Sequence, residues 1–385
     1  MVKTTYLGII FFWSILMCNI NIIYIFVINY YKMYRLLFVL ALLFFLMTNS
    51  LAQEMKTDSV MVAFWNLENF FDPFVDSTRV YNDYTEDGLQ HWTLSRFYRK
   101  RNNLYKAILS FSQQKAIGIM GVCEVESEFA LQALFAMTPL KDFNYRWVHY
   151  EGPDRRGIDP AIIYSKDCFQ LIFSEPIPYR NPDDTTMVSR DILYAKFFDY
   201  RHDTIHCFVN HWPSKYRGEL ETVEARNCAA RLLRHKVDSI IDACIGYRDG
   251  LLDPSSIPKM IIMGDFNDTP DAPCIREVLG AKPISDCQED DCLVNLFAKP
   301  EKLGFKGTLK YRDSWMIFDQ IIVTKSLLNN EMLHCISSDA RIIHDRFLLE
   351  EDRTYQGLKL NRTYLGPKYN GGFSDHLPVV LLLRY

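Results

Sequence analysis

The residues of this chain that could do chemistry stand at the ends of short apolar runs. Lys259–Met263 is long enough for a buried strand, and it stops at Gly264-Asp265-Phe266-Asn267. Asp265 and Asn267, two apart, project to the same side of an extended chain. The pattern recurs. Val60–Trp65 runs into Asn66, Ile117–Val122 into Glu124, and Thr204–Val209 into Asn210-His211. Trp315–Thr324 carries Asp319, and Ser374-Asp375-His376 precedes the apolar Leu377–Leu383. Each group alone has an ordinary reading as a turn former, a surface acid or a core histidine. Repetition singles them out, because polar groups delivered to successive strand ends converge on one edge of packed sheets. Glu124, Asp265, Asn267 and Asp375 offer oxygen ligands that suit Mg²⁺ or Mn²⁺. His211 and His376 can exchange protons near neutral pH. Such a set fits phosphate ester cleavage, in which metal neutralises developing charge, one group activates water and another supports the leaving oxygen.

The elements that position these groups follow from periodicity. Thr93–Phe111 spaces Leu94, Phe97, Leu104, Tyr105, Ile108 and Leu109 as a helix does; Phe129–Met137 reads as a shorter helix, and Glu219–Cys244 as a long amphipathic one. Asp159–Tyr164, Phe169–Ile177, Ile192–Phe198 and Thr204–Val209 read as strands, with a hairpin turn at Asp199–Asp203. Ile275–Leu279 reads as a short helix, Gln288–Pro300 as a loop or helical excursion, and 337–372 as loop-rich. No internal repeat or long low-complexity linker interrupts the chain, so residues 53–385 read as one domain.

Composition narrows the class. At 49% apolar and 14% aromatic, the chain can bury a sizeable core and disorder is excluded as a default. The first 52 residues hold Lys3, Lys32 and Arg35 and no acid, which leaves the remainder at a net charge of about −7 and gives no basic footprint for nucleic acid. Apolar blocks at Tyr6–Tyr31 and Leu36–Leu46 flank Lys32-Met33-Tyr34-Arg35. Read from Met33, the sequence has a positive start, an apolar stretch and Ser50-Leu51-Ala52 before Gln53, the layout of a secretory signal. Residues 7–31 as a transmembrane helix rank second, since Asn19, Asn21 and Asn29 interrupt the block. Residues 1–52 are thus read as a leader with Met33 as its start, and the enzyme as periplasmic or extracellular. Among ten cysteines no zinc-ligand spacing occurs, and Cys287 and Cys292 are candidates for a small disulfide in an acidic loop.

The ordered motifs Trp65-Asn66, Glu124, Asn210-His211, Gly264-Asp265-Phe266-Asn267, Asp319-Gln320-Ile321 and Ser374-Asp375-His376 resemble those of the endonuclease/exonuclease/phosphatase superfamily. That superfamily includes pancreatic-type deoxyribonucleases, AP endonucleases, sphingomyelinases and inositol polyphosphate 5-phosphatases. The resemblance covers nearly all of residues 60–385 and implies an α/β, four-layer sandwich of two packed mixed β-sheets flanked by helices. It implies that Glu124 binds Mg²⁺ with Asn66 and Asp375 near the metal, and that Asp265 and Asn267 contact attacking water, metal or phosphate. It also implies that His376, held by Asp319, contacts the scissile phosphate, with His211 as its counterpart and Asp159 a candidate for the acidic partner of His211. A tyrosine is usual at the position of His211 in AP endonucleases, and the 5-phosphatase patterns are incomplete here. Asn66-Leu67-Glu68-Asn69-Phe70-Phe71-Asp72 and Asn210-His211-Trp212-Pro213-Ser214-Lys215 are similar to predicted bacterial secreted nucleases. The expectation is therefore a secreted, Mg²⁺-dependent endonuclease (Mn²⁺ as the other candidate metal) acting on DNA or RNA. The alternative is a phosphatase or sphingomyelinase-type phosphodiesterase on small or lipid phosphate esters. Nucleic acid is the expected partner, no protein partner is evident, and a monomer without a stable membrane anchor is expected. Lys215 and Arg217 are read either as phosphate contacts beside the site or as a solvated loop.

Overall fold

The apolar runs become the central strands of two sheets in the computed structural model, which describes residues 17, 30–41, 59–75, 81, 83–180, 188–201, 203–248, 251–252, 256–329 and 332–385. In chain order the main strands are β1 (Ser59–Phe70), β2 (Ile117–Val125), β3 (Tyr145–His149), β4 (Asp159–Ser165), β5 (Phe169–Ile177), β6 (Ile192–Asp199), β7 (Thr204–His211), β8 (Lys259–Asp265), β9 (Asp319–Thr324) and β10 (Val379–Arg384). Three helices accompany them: α1 (Leu94–Phe111), α2 (Glu128–Phe135) and α3 (Val223–Cys244). The first sheet runs β10-β1-β2-β4-β3, with short strands at His334–Cys335 and Arg341–Ile342 added to β10. The second runs β9-β8-β7-β6-β5, extended beyond β9 by Leu293–Asn295 and Ala281–Lys282. Both are mixed: β1 is parallel to β2 and antiparallel to β10, and β8 is parallel to β7 and antiparallel to β9.

Side-chain alternation explains the layers. Ile261 and Met263 of β8 join the core between the sheets, while Met260 and Ile262 join a second core with Ala229, Leu233 and Val237 of α3. A strand buried on both faces needs a continuous apolar run, and Lys259–Met263 supplies it. On the other side, Phe97, Leu104 and Ile108 of α1 and Leu131 and Leu134 of α2 pack with the first sheet. A Cβ on Gly121 of β2 would lie 2.8 Å from Val209 Cγ2 and 2.9 Å from Met263 Sδ, so the sheets meet where a side chain is missing. The expected four-layer α/β sandwich is the fold observed.

Several local expectations shift. Leu293–Asn295 is a short strand between β9 and Ala281–Lys282 rather than loop or helix, because only three residues pair there, too few for a periodic signal. The Trp315–Thr324 run divides: Ser314–Met316 pairs with Leu309–Tyr311 in a hairpin, and Asp319–Thr324 enters the sheet. Helix α3 starts at Val223 rather than Glu219, since Gly218 turns the chain at φ +113° and Thr222 Oγ1 donates back to the Gly218 carbonyl at 2.7 Å. The short helix near 275 is one π-helical turn, Cys274–Val278. Cys287 and Cys292 are bridged as a disulfide.

Residues 1–58 and 59–385 form separate units, and the described residues 30–41 of the first are helical. Among the described residues no helix is long and apolar enough to cross a membrane. The Ser50-Leu51-Ala52 site and most of the Tyr6–Tyr31 block lie outside the described residues.

Candidate active site

A bulge builds the first half of the site. Registers between β1 and β2 shift after Asn66, and between β2 and β4 after Val122, so Glu124 falls where pairing is broken on both sides. Its backbone sits at φ +63°, and Glu68 and Asn69 opposite it both sit at φ +50°. Non-glycine residues adopt this region rarely and at a cost, and bulges re-aim side chains that a regular strand would point elsewhere. Here the result is convergence. Asn66 Nδ2 donates to Glu124 Oε1 at 3.3 Å and to Asp265 Oδ2 at 3.1 Å, and the Asn69 N–H donates to Glu124 Oε2 at 2.7 Å.

The second half comes from the other sheet. A Cβ on Gly264 would lie 2.4 Å from the Asn210 carbonyl oxygen, so only glycine lets β8 lie against β7 there and bring Asp265 level with His211. His211 Nε2 lies 3.7 Å from Glu124 Oε1 and 3.8 Å from Asp265 Oδ2. Asn267, at φ +50°, donates its amide to the Trp212 carbonyl at 2.9 Å, and its N–H bonds Asp265 Oδ1 at 2.9 Å. His376 Nδ1 is 2.7 Å from Asp319 Oδ2, and its Nε2 is 3.7 Å from Asp265 Oδ2. Ser374 Oγ, donating to the Asn66 carbonyl at 2.7 Å, and Trp65 Nε1, donating to the His376 carbonyl at 2.9 Å, tie the last motif to the first.

Electrostatics separate the two histidines. Burial holds the His211 imidazole well below its usual range, and the charges of Arg190 and Arg156 add to this. Burial also opposes a charge on His376, but the carboxylates of Asp319 and Asp265 outweigh it and hold the ring well above that range. Near neutral pH the site therefore offers one imidazole that accepts a proton and one imidazolium that donates one, the division of labour that acid–base catalysis needs. Asp265 is pushed up to about 6, chiefly by burial.

The donor set fits a hard divalent cation. Glu124 Oε1 and Asp265 Oδ2 share the Asn66 amide and the His211 ring, and the charged His376 ring stands beside Asp265 alone, at 3.7 Å, so the two carboxylates together keep negative charge for a cation. Asp265, Asp319 and His376 also present ligand atoms within 4.8 Å of one another. Asp319 and His376 already share a 2.7 Å bond that a cation held by that trio would have to break, so the Glu124–Asp265 side is the better cradle.

The structure brings Asn66, Glu124, His211, Asp265, Asn267, Asp319 and His376 together, though some not in the expected form. Asn66 turns its amide N–H₂ toward the carboxylates, while its Oδ1 accepts the Glu68 N–H at 2.9 Å. Asp375 is taken up by Arg362, whose Nη2 donates at 2.7 Å. Asp159 is buried at the start of β4, but His211 Nδ1 is buried without a hydrogen-bond partner, so no hydrogen bond joins the two. Lys215 is neither a free phosphate contact nor merely solvated; it bonds Asp268 at 2.8 Å and Glu219 at 2.7 Å. The Arg217 side chain lies outside the described residues.

Sequence reasoning missed the charged groups behind the site. Arg190 donates to the Trp212 carbonyl at 3.0 Å, the same oxygen that holds Asn267, and its Nε is buried without a hydrogen-bond partner. Buried Glu68 takes the Thr363 N–H at 2.7 Å and Arg362 Nε at 3.2 Å, with Lys100 Nζ 3.8 Å away. Glu68 stood inside a quoted motif, but Lys100 lay in a helix face and Arg362 in a loop-rich stretch with no local signal.

This fold and this edge of strand-end acids and histidines are those of a hydrolase of the layered α/β kind. Residues 61–385 match the sequence profile of the endonuclease/exonuclease/phosphatase family, and the chain belongs to that family. Its members are phosphoric ester hydrolases, phosphodiesterases and phosphatases among them, and are generally dependent on divalent metal. No curated protein sequence matches the chain. Similar solved structures include an endonuclease/exonuclease/phosphatase family protein from Bacteroides thetaiotaomicron, at 16% identity and a TM-score of 0.50 over 85% of this chain and 98% of that one. A humanised TDP2 from D. rerio is 14% identical, with a TM-score of 0.51 over 86% of this chain and 100% of that one. A mannosyl-6-phosphatase from Bacteroides thetaiotaomicron is 17% identical, with a TM-score of 0.50 over 85% and 100%. At these identities the likeness is one of fold.

Proposed function

We propose that this chain is an exported, Mg²⁺-dependent phosphodiesterase that hydrolyses nucleic acid strands internally. The observation that carries the reading is the pair of histidines whose Nε2 atoms stand 3.8 Å and 3.7 Å from Asp265 Oδ2, beside the Glu124 carboxylate. Glu124 and Asp265 would hold a divalent cation there, which would supply charge neutralisation for the phosphoryl oxygens. The chain's own residues do the rest. His211 Nε2 takes a proton from the attacking water, and Asn267 and Asn66 orient the Asp265 carboxylate. His376, fixed by Asp319 through Nδ1, presents Nε2 to the phosphate and stabilises the oxygen that leaves. The leader-like residues 33–52 support export.

A second reading, hydrolysis of small or lipid phosphate esters, is favoured by the rim. Bases beside the site are paired with acids: Arg190 and Arg156 with Asp154, Lys215 and Arg226 with Asp268, and Arg362 with Asp375 and Glu68. Tyr216 and Leu220, on the loop after His211, are exposed. The deciding experiment incubates the purified protein with supercoiled plasmid, sphingomyelin vesicles and inositol phosphates, each in Mg²⁺ and in chelator. Nicking that requires Mg²⁺ and is lost in His211→Ala and His376→Ala supports the nuclease. Turnover of the other esters without nicking replaces it with the second reading.

A further inference from the structure

The charged residues behind the site gather around Arg362 and Glu68. Arg362 lies between two small hairpins, Leu349–Glu351 with Leu358–Leu360 and Tyr364–Leu365 with Lys368–Tyr369. Its segment is pinned to the strip that precedes His376: the Phe373 N–H bonds the Asn361 carbonyl at 2.6 Å, and the Gly372 N–H bonds that of Arg362 at 3.3 Å. A Cβ on Gly372 would lie 2.2 Å from the Asn361 carbonyl oxygen, so the approach requires glycine. The guanidinium is held on two of its nitrogens, Nη2 by Asp375 and Nε by Glu68. Glu68 is itself fixed by the Thr363 N–H and accompanied by Lys100, whose Nζ also donates to the Glu68 carbonyl at 2.6 Å. Nη1 carries two further donors and makes no hydrogen bond among the described residues, and the side chain is 39% exposed. Tyr84 lies near enough to Arg362 to act on it electrostatically, its ring stacked on Phe71 at 4.5 Å and edge-on to Tyr364 at 5.8 Å. Burial and the charges of Glu68 and Glu124 keep its phenol protonated and so able to donate.

We infer that Arg362 and Tyr84 form an anion subsite that holds a phosphate group of the substrate by the free edge of the Arg362 guanidinium. The inference rests on the phosphoric ester hydrolase reading and adds to it a binding residue that the motifs do not contain. A pre-oriented guanidinium suits planar, two-point recognition of phosphate oxygens, which an ammonium cannot reproduce. The Asp375 and Glu68 carboxylates orient the fork, and Lys100 and Arg362 together balance their charge, so the cluster is neutral before an anion meets the free edge of the guanidinium.

The test measures binding rather than turnover. Inorganic phosphate is titrated calorimetrically into the full chain in chelator, alongside Arg362→Lys, Arg362→Met and Tyr84→Phe, with thermal unfolding of each. The expected result is phosphate binding that weakens about tenfold or more in both Arg362 variants and less in Tyr84→Phe. Arg362→Lys keeps the charge between Asp375 and Glu68, so its loss at unchanged thermal stability separates recognition from folding. No phosphate binding by the wild-type chain, or wild-type affinity in Arg362→Lys, overturns the inference. Hydrolysis of bis(p-nitrophenyl) phosphate in Mg²⁺ checks the hydrolase reading separately. Oligonucleotides with and without a terminal phosphate distinguish the source. A KM advantage of the terminal phosphate that disappears in Arg362→Lys identifies an end phosphate, and an equal KM rise on both identifies an internal one.

Discussion

At the scale of single residues, the chemistry depends on two identical side chains made different by their surroundings. Burial, joined by the charges of Arg190 and Arg156, holds His211 down, whereas at His376 the carboxylates of Asp319 and Asp265 overcome burial, so the proton affinities separate. The consequences for stability have opposite signs. The folded pKa of His376 lies above its unfolded value, so its contribution is complete below about pH 6.5 and is lost as pH rises through the folded value. His211 is depressed, so the unfolded chain takes up a proton below about pH 6.5 that the folded chain resists, and stability falls with pH there. Nitrogen NMR of the imidazoles should find His376 protonated and His211 neutral at pH 7; the same titration midpoint for both would remove the acid–base assignment. Asp319→Asn should lower the His376 midpoint and reduce kcat by about a hundredfold to ten-thousandfold, with KM less affected. A variant with wild-type kcat would show that Asp319 only caps a strand.

At the scale of elements, strand ends supply the positions and irregularities supply the aim. The bulge around Glu124 and the close contact of β8 with β7 at Gly264 are backbone features, and each places one carboxylate. Helix α1 has a comparable role through Lys100, which bonds Glu68 of β1 as well as Thr363 and the Phe373 carbonyl, at 3.2 Å. Lys100→Met should destabilise the protein by about 3–5 kcal/mol, because it removes one of the two cations beside buried Glu68 together with the hydrogen bonds Lys100 donates. Adding Glu68→Gln should restore part of that loss. Urea denaturation of the single and double variants measures it, and a single variant as stable as wild type would show that the pair is not a fold-holding contact.

At the scale of the whole molecule, the expectation of a leader and one catalytic domain can be tested directly. Expressed in a secreting bacterium, the chain should be recovered outside the cytoplasm as a species beginning at Gln53, as read by intact mass. Recovery of an uncleaved, membrane-bound protein would instead support the apolar 7–31 block as an anchor. The chain alone determined much of this architecture: periodicity marked the strands and long helices, and the recurring apolar-run-then-polar pattern marked Asn66, Glu124, His211, Asp265, Asn267, Asp319 and His376. Those signals are local, since burial on one or two faces writes itself into neighbouring residues. Tertiary structure decided the rest. That Asn66 offers its N–H₂, that Asp375 is held by Arg362, and that Lys100 neutralises Glu68 are contacts between residues far apart in the chain. The same is true of the two histidines. Their separation comes from burial and from charges brought close through space, and no stretch of sequence around either one encodes it.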